Sequence, residues 1–447
     1  MTLEGAEALP LALAGLVLAA LVAFLLTPLA ARFATAVGAV DRPGARRIHR
    51  AVTPRGGGLA VATAFVLVGA ALLWYERSSD VVSASYRPQP AQLVALIAGA
   101  AVAALLGFVD DRRDLRARWQ FLGQLVLALF AVAAGMRIGF INNPLAGATI
   151  TFGGTVGAVL TVFWVIGMIN SINFIDGLDG LSSGIAMIAA LTLGGISFTV
   201  GQNQPVVAIL CFTLAGALAG FLPWNFHPAR IFVGTAGVFV IGYTLAVLSL
   251  LGTAKVAVAL LVLGVPIIDT FWIIVRRLAQ GSSPFAPDRG HFHHRLLDLG
   301  LGHREAVLLI YAICALLAVL SFRLSGTGQM YAFLGIVVGG GLVLYLLTAR
   351  ARVMGSSGLD PHAYEDEEAN GAGAGGAMAN GAMANGATAD GAVADGAVAD
   401  GAMAGAPAAD GIPADGPAIT APEVAGVAPG RADPATRSER ARSEPDA

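Results

Sequence analysis

The sequence predicts an all-α, polytopic integral membrane protein of about eleven transmembrane helices, followed by a disordered C-terminal tail. Three observations predict it. Of the 447 residues, 56% are hydrophobic and only 13% charged, against roughly 25% charged in soluble domains. Apolar runs long enough to span a bilayer recur along the first 350 residues. After about residue 354 the composition collapses to Ala, Gly and Asp.

The apolar runs fall at about 10–31, 57–75, 92–109, 120–138, 154–170, 182–200, 204–223, 231–251, 253–275, 305–323 and 329–348. Gly and Thr dilute 154–170 and 231–251, which are the weakest of the set. The first run is not expected to be a secretory leader, because Glu4 and Glu7 precede it and no basic residue does. Cys211 and Cys314 each sit inside an apolar run without a CxxC spacing, so neither a zinc site nor a disulfide framework is expected.

Orientation follows from arginine, since Lys255 is the only lysine. Segment 32–56 holds Arg32, Arg42, Arg46, Arg47, Arg50 and Arg55. Segment 110–118 holds Arg112, Arg113, Arg116 and Arg118, and segment 276–304 holds Arg276, Arg277, Arg289, Arg295 and Arg304. The positive-inside rule assigns these loops to the cytoplasm. With an odd number of spans the N-terminus lies outside and the C-terminus inside. Two domains are therefore expected: a transmembrane domain over 1–353 and a low-complexity tail over 354–447. The tail repeats every five residues, with Asn380, Asn385, Asp390, Asp395 and Asp400 in register, and buries too little apolar area to offset its ordering entropy.

Five polar stretches interrupt the apolar pattern, all on the predicted cytoplasmic side. The first contains Asp41, Arg46, Arg47 and His49, then "TPRGGGLA". The second is "FVDDRRDL", with Asp110 and Asp111 adjacent. The third is "NSINFIDGLDGL", the fourth "WNFHPARIFVGTAG" and the fifth "SPFAPDRGHFHHRLLDLG". Carboxylates and amide oxygens are hard ligands for Mg²⁺. Arginine and histidine suit phosphate oxygens, and glycine-rich turns let backbone N–H groups approach an anion. The mixture points to a metal–diphosphate substrate at a membrane surface.

Each stretch also has a plainer reading. Asp-Asp-Arg-Arg is ordinary loop charge, and "DGLDGL" is two tight turns. Arg47 and His49 can serve lipid headgroups. Against the turn reading, Asn170, Asn173, Asp176 and Asp179 at spacing three keep roughly one helical face. His291 and His293 do not share a helical face, which argues against a transition-metal site. Asp269, inside "VPIIDTFWII", is a candidate functional carboxylate or a partner for Arg276 or Arg277. A transporter should place its ionisable groups near the bilayer midplane, and these spans hold almost none there.

Together, "DRPGARRIH…PRGGGLA", "GFVDDRRDL", "NSINFIDGLDGL", "FLPWNFHPARIFVG" and "SPFAPDRGHFHHRLLDLG" resemble the five cytoplasmic signatures of the polyprenyl-phosphate N-acetylhexosamine-1-phosphate transferases, over about residues 10–350. The "HxHH" form is similar to the GlcNAc-1-phosphate branch. The resemblance implies a bacterial inner-membrane enzyme with its active site on the cytoplasmic face. It implies transfer of N-acetylhexosamine-1-phosphate from a UDP-sugar to a polyprenyl phosphate, with Mg²⁺ as cofactor and Mn²⁺ as its substitute. No nucleic-acid partner is expected, and a homodimer is a candidate assembly.

Carried over by residue, the resemblance implies catalytic roles for Asp110, Asp111 and Asp176, with Asn173, Asp176 and Asp111 near the metal. It implies nucleotide contacts for Gly177, Leu178, Asp179, Asn225 and Phe232. Arg289, His291, His293 and His294 match the loop that holds the diphosphate and sugar. Asp41, Arg47 and His49 match the first-loop signature, for the lipid phosphate or for structure. In two places the chain departs from the family pattern. Thr235 stands where the family has an aspartate that binds magnesium, and Gln120 stands where it often has a lysine. The alternative reading is therefore a homologue without turnover that binds nucleotide-sugar or polyprenyl phosphate as a regulator.

Overall fold

A computed structural model of the chain describes residues 3–41, 52–83, 87–142, 149–199, 203–251, 255–279, 292–324 and 326–355. The chain divides into two units, Met1–Asp366 and Glu367–Ala447, and every described residue lies in the first. The described residues of that unit are mostly helical. Its elements are α1 (Leu3–Ala36), β1 (Val40–Asp41), β2 (Thr53–Pro54), α2 (Gly57–Ser79), α3 (Pro90–Arg113) and α4 (Ala117–Ala133). They continue with β3 (Phe140–Asn142), β4 (Thr149–Thr151), α5 (Gly154–Ile175), α6 (Leu181–Ser197), α7 (Pro205–Asn225) and α8 (Gly234–Leu250). The last are α9 (Lys255–Val262), α10 (Gly264–Ala279), α11 (Phe292–Asp298), α12 (His303–Arg323) and α13 (Gly326–Gly355). Two short antiparallel pairs, β1–β2 and β3–β4, are the sheets among the described residues.

Six helices, α1, α2, α3, α5, α7 and α12, are long and apolar enough to cross a membrane, and a seventh span arises if α9 and α10 count together. The chain is thus a multi-pass membrane protein. Its exposed surface fits that setting: Leu25, Leu67, Trp74, Leu105, Phe163 and Leu316 are all large, apolar and exposed. Helices α4, α6 and α8 are apolar but have seventeen residues each, about 26 Å of helix against a hydrocarbon core near 30 Å. The run expected as one span over 253–275 is two helices, α9 and α10, bent by 79° at their junction. Pro266 accounts for the break, since it has no N–H for the residue 262 carbonyl and its ring crowds that carbonyl. Beyond α13, the expected tail lies outside the described residues.

α8 lies at the centre. Residues from Ala236 to Ser249 are buried all round, and α8 packs against α2, α3 and α5. This explains why its sequence lacks the polar stripe of a surface helix. α7 is buried almost as completely, with α1 running along one side and α6 along another. Gly216 and Gly220, one turn apart on α7, let α1 approach: a Cβ at either would overlap the backbone of Leu16 or Ala20. Small residues at this spacing are how helices reach backbone contact where no hydrophobic drive separates lipid from protein.

Overpacking of that seam is expected to cost about 1–3 kcal/mol. Gly220→Leu should therefore lower the thermal unfolding midpoint of the detergent-solubilised protein. A midpoint equal to wild type would show that the α1–α7 seam is looser than described.

Candidate active site

The polar residues gather where the C-terminal ends of α3, α5 and α7 meet the N-terminal end of α8. They surround a cleft of about 290 Å³. Asp41, Asp111, Asn173, Asp176, Asp179 and Asn225 supply most of its polar lining; Gly177, Leu178, Phe232 and Thr235 complete the wall. Arg55 is the cation that lines it among the described residues.

Asp111, in the last turn of α3, is buried. Both of its carboxylate oxygens accept from the start of α8: the Thr235 N–H donates to Oδ1 at 2.7 Å and the Ala236 N–H to Oδ2 at 2.9 Å. The first N–H groups of a helix have no intrahelical partner and carry partial positive charge, so the two needs are met together. Two glycines make the approach. A Cβ on Gly107, one turn before Asp111, would collide with Ala236, and Gly234 adopts φ +70° with its α-hydrogen side facing the Asp111 carboxylate.

Asp110 is also buried but stands behind the wall rather than in it. Its Oδ1 accepts from Gln120 Nε2 at 2.9 Å and from the Leu115 N–H at 3.0 Å, and its Oδ2 from Thr235 Oγ1 at 2.7 Å. Both departures noted in the sequence, Gln120 and Thr235, therefore meet on one carboxylate. Adjacent aspartates on a helix diverge in direction, which separates the two: Asp111 faces the cleft and Asp110 faces α4.

The stretch 170–181 is split by the end of α5. Asn170 and Asn173 are helical, Asp176 is the C-cap, and 176–180 form a turn before α6. The single helical face expected for all four polar residues is therefore not formed. Asn170 turns away, donating to Gln124 Oε1 on α4 at 2.7 Å. Asp176 accepts from Ser182 Oγ at 2.5 Å. Although its side chain opens on the cleft, the protein packed around it pushes the Asp176 carboxyl up to about 7; the Ser182 hydrogen bond opposes this, and the charges of Asp111 and Asp179 add to it. A bound cation relieves such crowding of carboxylates.

Around the other rim, the Asp179 carboxylate accepts from the Ala229 N–H at 3.1 Å and pairs with His227 Nδ1 at 2.8 Å. Asn225, at the end of α7, accepts from Ser183 Oγ at 2.7 Å and donates to the Ile231 carbonyl at 3.1 Å. The β1–β2 segment is pinned to the same connection: Phe232 N–H donates to the Pro54 carbonyl at 2.9 Å, and Gly57 N–H to the Phe232 carbonyl at 3.0 Å. Arg55 bridges loops, paired with Asp41 on β1 and with Asp114 at 3.2 Å after α3.

Of the residues singled out in the sequence, Asp41, Asp111, Asn173, Asp176, Gly177, Leu178, Asp179, Asn225 and Phe232 share this cleft. Arg47, His49, Arg289 and His291 lie outside the described residues, as do the side chains of His293 and His294. The latter two belong to α11, whose first N–H, that of Phe292, donates to Asp269 Oδ1 at 2.9 Å. Asp269 thus ties α10 to the histidine-bearing helix. Sequence reasoning gave no role to Arg55 or His227, although both lie within the polar stretches quoted above. It missed His303, which begins α12, and Tyr311, eight residues further along that helix.

A second cavity, about 510 Å³ and strongly apolar, lies between α4, α5, α9 and α10. Phe121, Phe163, Ile166, Leu260 and Ile267 help line it, and Asn170, Ser171 and Phe174 bring it to the same end of α5 that carries Asn173 and Asp176. A polar cleft and an apolar groove thus flank one helix end.

By its sequence, this helical membrane protein falls into a known class. Residues 93–253 match the family described as Glycosyl transferase family 4. The chain is 35% identical over 299 residues to a Bacillus subtilis protein named "Probable undecaprenyl-phosphate N-acetylglucosaminyl 1-phosphate transferase", covering 66% of this chain and 79% of that protein. It is 32% identical over 371 residues to the decaprenyl-phosphate N-acetylglucosaminephosphotransferase of Mycobacterium leprae, covering 76% of this chain and 91% of that one. A Salmonella typhi undecaprenyl-phosphate alpha-N-acetylglucosaminyl 1-phosphate transferase is 30% identical over 301 residues, covering 65% and 77%. The chain belongs to this family of polyprenyl-phosphate N-acetylhexosamine-1-phosphate transferases.

The α3–α8 junction leaves no room for a side chain at residue 234. Gly234→Ala would add a methyl against the Asp111 carboxylate and hold alanine in the left-handed region, itself a cost of about 1–2 kcal/mol. A lower unfolding midpoint in detergent is expected. A midpoint unchanged from wild type would contradict the packing described.

Proposed function

We propose that this protein transfers N-acetylhexosamine-1-phosphate from a UDP-sugar to a polyprenyl phosphate and releases UMP, with UDP-GlcNAc the first donor to test. One observation carries the reading: an acidic cleft and an apolar groove lie on either side of the end of α5. A water-soluble nucleotide diphosphate and a membrane-borne acceptor need such neighbouring compartments. The relatives' names support the same acceptor class.

The donor set fits a hard divalent cation. Asp111, Asp176 and Asn173 line one cleft, and a cluster of oxygen-bearing side chains of this kind suits Mg²⁺, with Mn²⁺ as substitute. Thr235 is committed to Asp110 through its hydroxyl, so these three would hold the cation in this chain. When bound, Mg²⁺ neutralises the diphosphate and stabilises the departing UMP.

The remaining work falls to the protein. The walls at Gly177, Leu178, Asn225 and Phe232 receive the nucleoside. Arg55, held between Asp41 and Asp114, offers its charge at the cleft to the phosphates. The polyprenyl tail lies in the apolar groove, which delivers its phosphate to the end of α5. An oxygen of that phosphate forms a bond to the β-phosphorus of the donor, and the bond from that phosphorus to the UMP oxygen breaks. Asp110, held by three donors behind the wall, acts through Thr235 on the start of α8 and so on the position of Asp111. In this reading α4, α6, α8 and α13 also cross the bilayer, giving the eleven-span arrangement. The Arg-rich loops and the cleft then face the cytoplasm.

Membranes containing the protein, given UDP-GlcNAc, polyprenyl phosphate and Mg²⁺, should release UMP. Asp110→Asn, Asp111→Asn and Asp176→Asn should each lower that rate by about 100-fold or more at wild-type protein levels. Absence of UMP from every UDP-N-acetylhexosamine would overturn the function. Wild-type rates in the three variants would overturn the site.

A further inference from the structure

The turn over 176–180 forms one wall of the cleft through Gly177, Leu178 and Asp179. α6 holds it through Ser182 on Asp176 and Ser183 on the Gly180 carbonyl. It is also held by α12, a helix that contributes no residue to the cleft lining. His303, the first residue of α12, accepts the Asp179 N–H through Nε2 at 2.9 Å. Tyr311, eight residues further along the same helix, donates its hydroxyl to the Gly180 carbonyl. The Tyr311 ring fills the space beside Gly184, where a Cβ would overlap it.

His303 is fixed in its turn. Its ring stacks on that of His227 at 4.1 Å between centroids and 20° between planes. His227 Nδ1 holds the Asp179 carboxylate, and the His227 carbonyl accepts from Arg304 Nε at 3.0 Å. Asp179 is thus gripped at its backbone by one histidine and at its carboxylate by the other. The ligand atoms of Asp179, His227 and His303 lie within 4.8 Å of one another, but metal binding does not suit them. The His303 Nε2 lone pair already receives the Asp179 N–H, and the two rings face each other rather than a common point.

The geometry points to His303 as a positioning residue for the nucleotide wall, acting through Asp179 with Tyr311 as a second anchor on the same helix face. This rests on the transferase reading above. An imidazole can accept at Nε2 only when that nitrogen carries no proton, so the contact requires the Nδ1–H tautomer. Glutamine, whose amide oxygen reaches a similar distance from the backbone, can replace that acceptor; alanine cannot.

The test is steady-state kinetics with purified full-length protein. His303→Ala should raise KM for UDP-GlcNAc about tenfold, leave KM for polyprenyl phosphate unchanged and change kcat by less than about twofold. His303→Gln should recover most of the loss. Tyr311→Phe, which keeps the ring beside Gly184, should raise the same KM by a smaller factor. An unchanged nucleotide KM in His303→Ala, a fall in kcat without a KM change, or glutamine no better than alanine would overturn the proposal. If His303→Ala does not accumulate, an unchanged KM in Tyr311→Phe overturns it alone. Calorimetric binding of UDP to wild type and the variants separates the two readings. Weaker UDP binding in His303→Ala supports the positioning role even if wild type releases no UMP, whereas equal binding removes it.

Discussion

The site depends on one contact: a buried carboxylate received by the exposed N–H groups at the start of a buried helix. A carboxylate taken out of water near a membrane is costly unless it is hydrogen-bonded. The first turn of a helix has the converse problem, with donors that lack partners. Asp111 and the start of α8 solve both at once, with each carboxylate oxygen accepting one backbone N–H. Because α8 is packed on all sides, this contact also fixes where the cleft sits relative to the helix bundle. Gly107 and Gly234 are the conditions that let the two chains come so close.

From that junction the rest of the site is built by short tethers between loops distant in sequence. Arg55 joins the first polar stretch to the second. Phe232 joins the fourth to the first through backbone bonds, and Asn225 joins α7 to α6 through Ser183. His227 and His303 join the third stretch to the fourth and to α12. Each tether spends a polar group on holding a loop, and Arg55, Asn225 and Phe232 line the cleft while doing so. The carboxylates left facing the cavity are those whose charge a cation would offset.

Much of this was legible in the sequence, for identifiable reasons. Long apolar runs located α1, α2, α3, α5, α7 and α12, because composition alone decides whether a helix can sit in lipid. The five polar stretches named most of the cleft's lining, since charge is rare in this chain and its clustering stands out. The failures are equally physical. The bend between α9 and α10 hid inside a run apolar enough to read as one span, with Gly264 and Pro266 its local signs. The face expected for Asn170 through Asp179 assumed a helix that stops at Ile175. The separate fates of Asp110 and Asp111 depend on which helix each one meets, which no local pattern encodes. His303 begins a helix just past the fifth stretch, and only tertiary packing brings it to Asp179, distant in sequence.

The central claim is that the Asp111 cleft receives a cation together with a nucleotide diphosphate. Calorimetric titration of UDP into the solubilised protein, with and without Mg²⁺, tests it most directly when wild type is compared with Asp111→Asn. The account requires Mg²⁺-dependent binding to wild type and its loss in the variant. UDP binding of equal strength in both proteins, or binding indifferent to Mg²⁺, would contradict it.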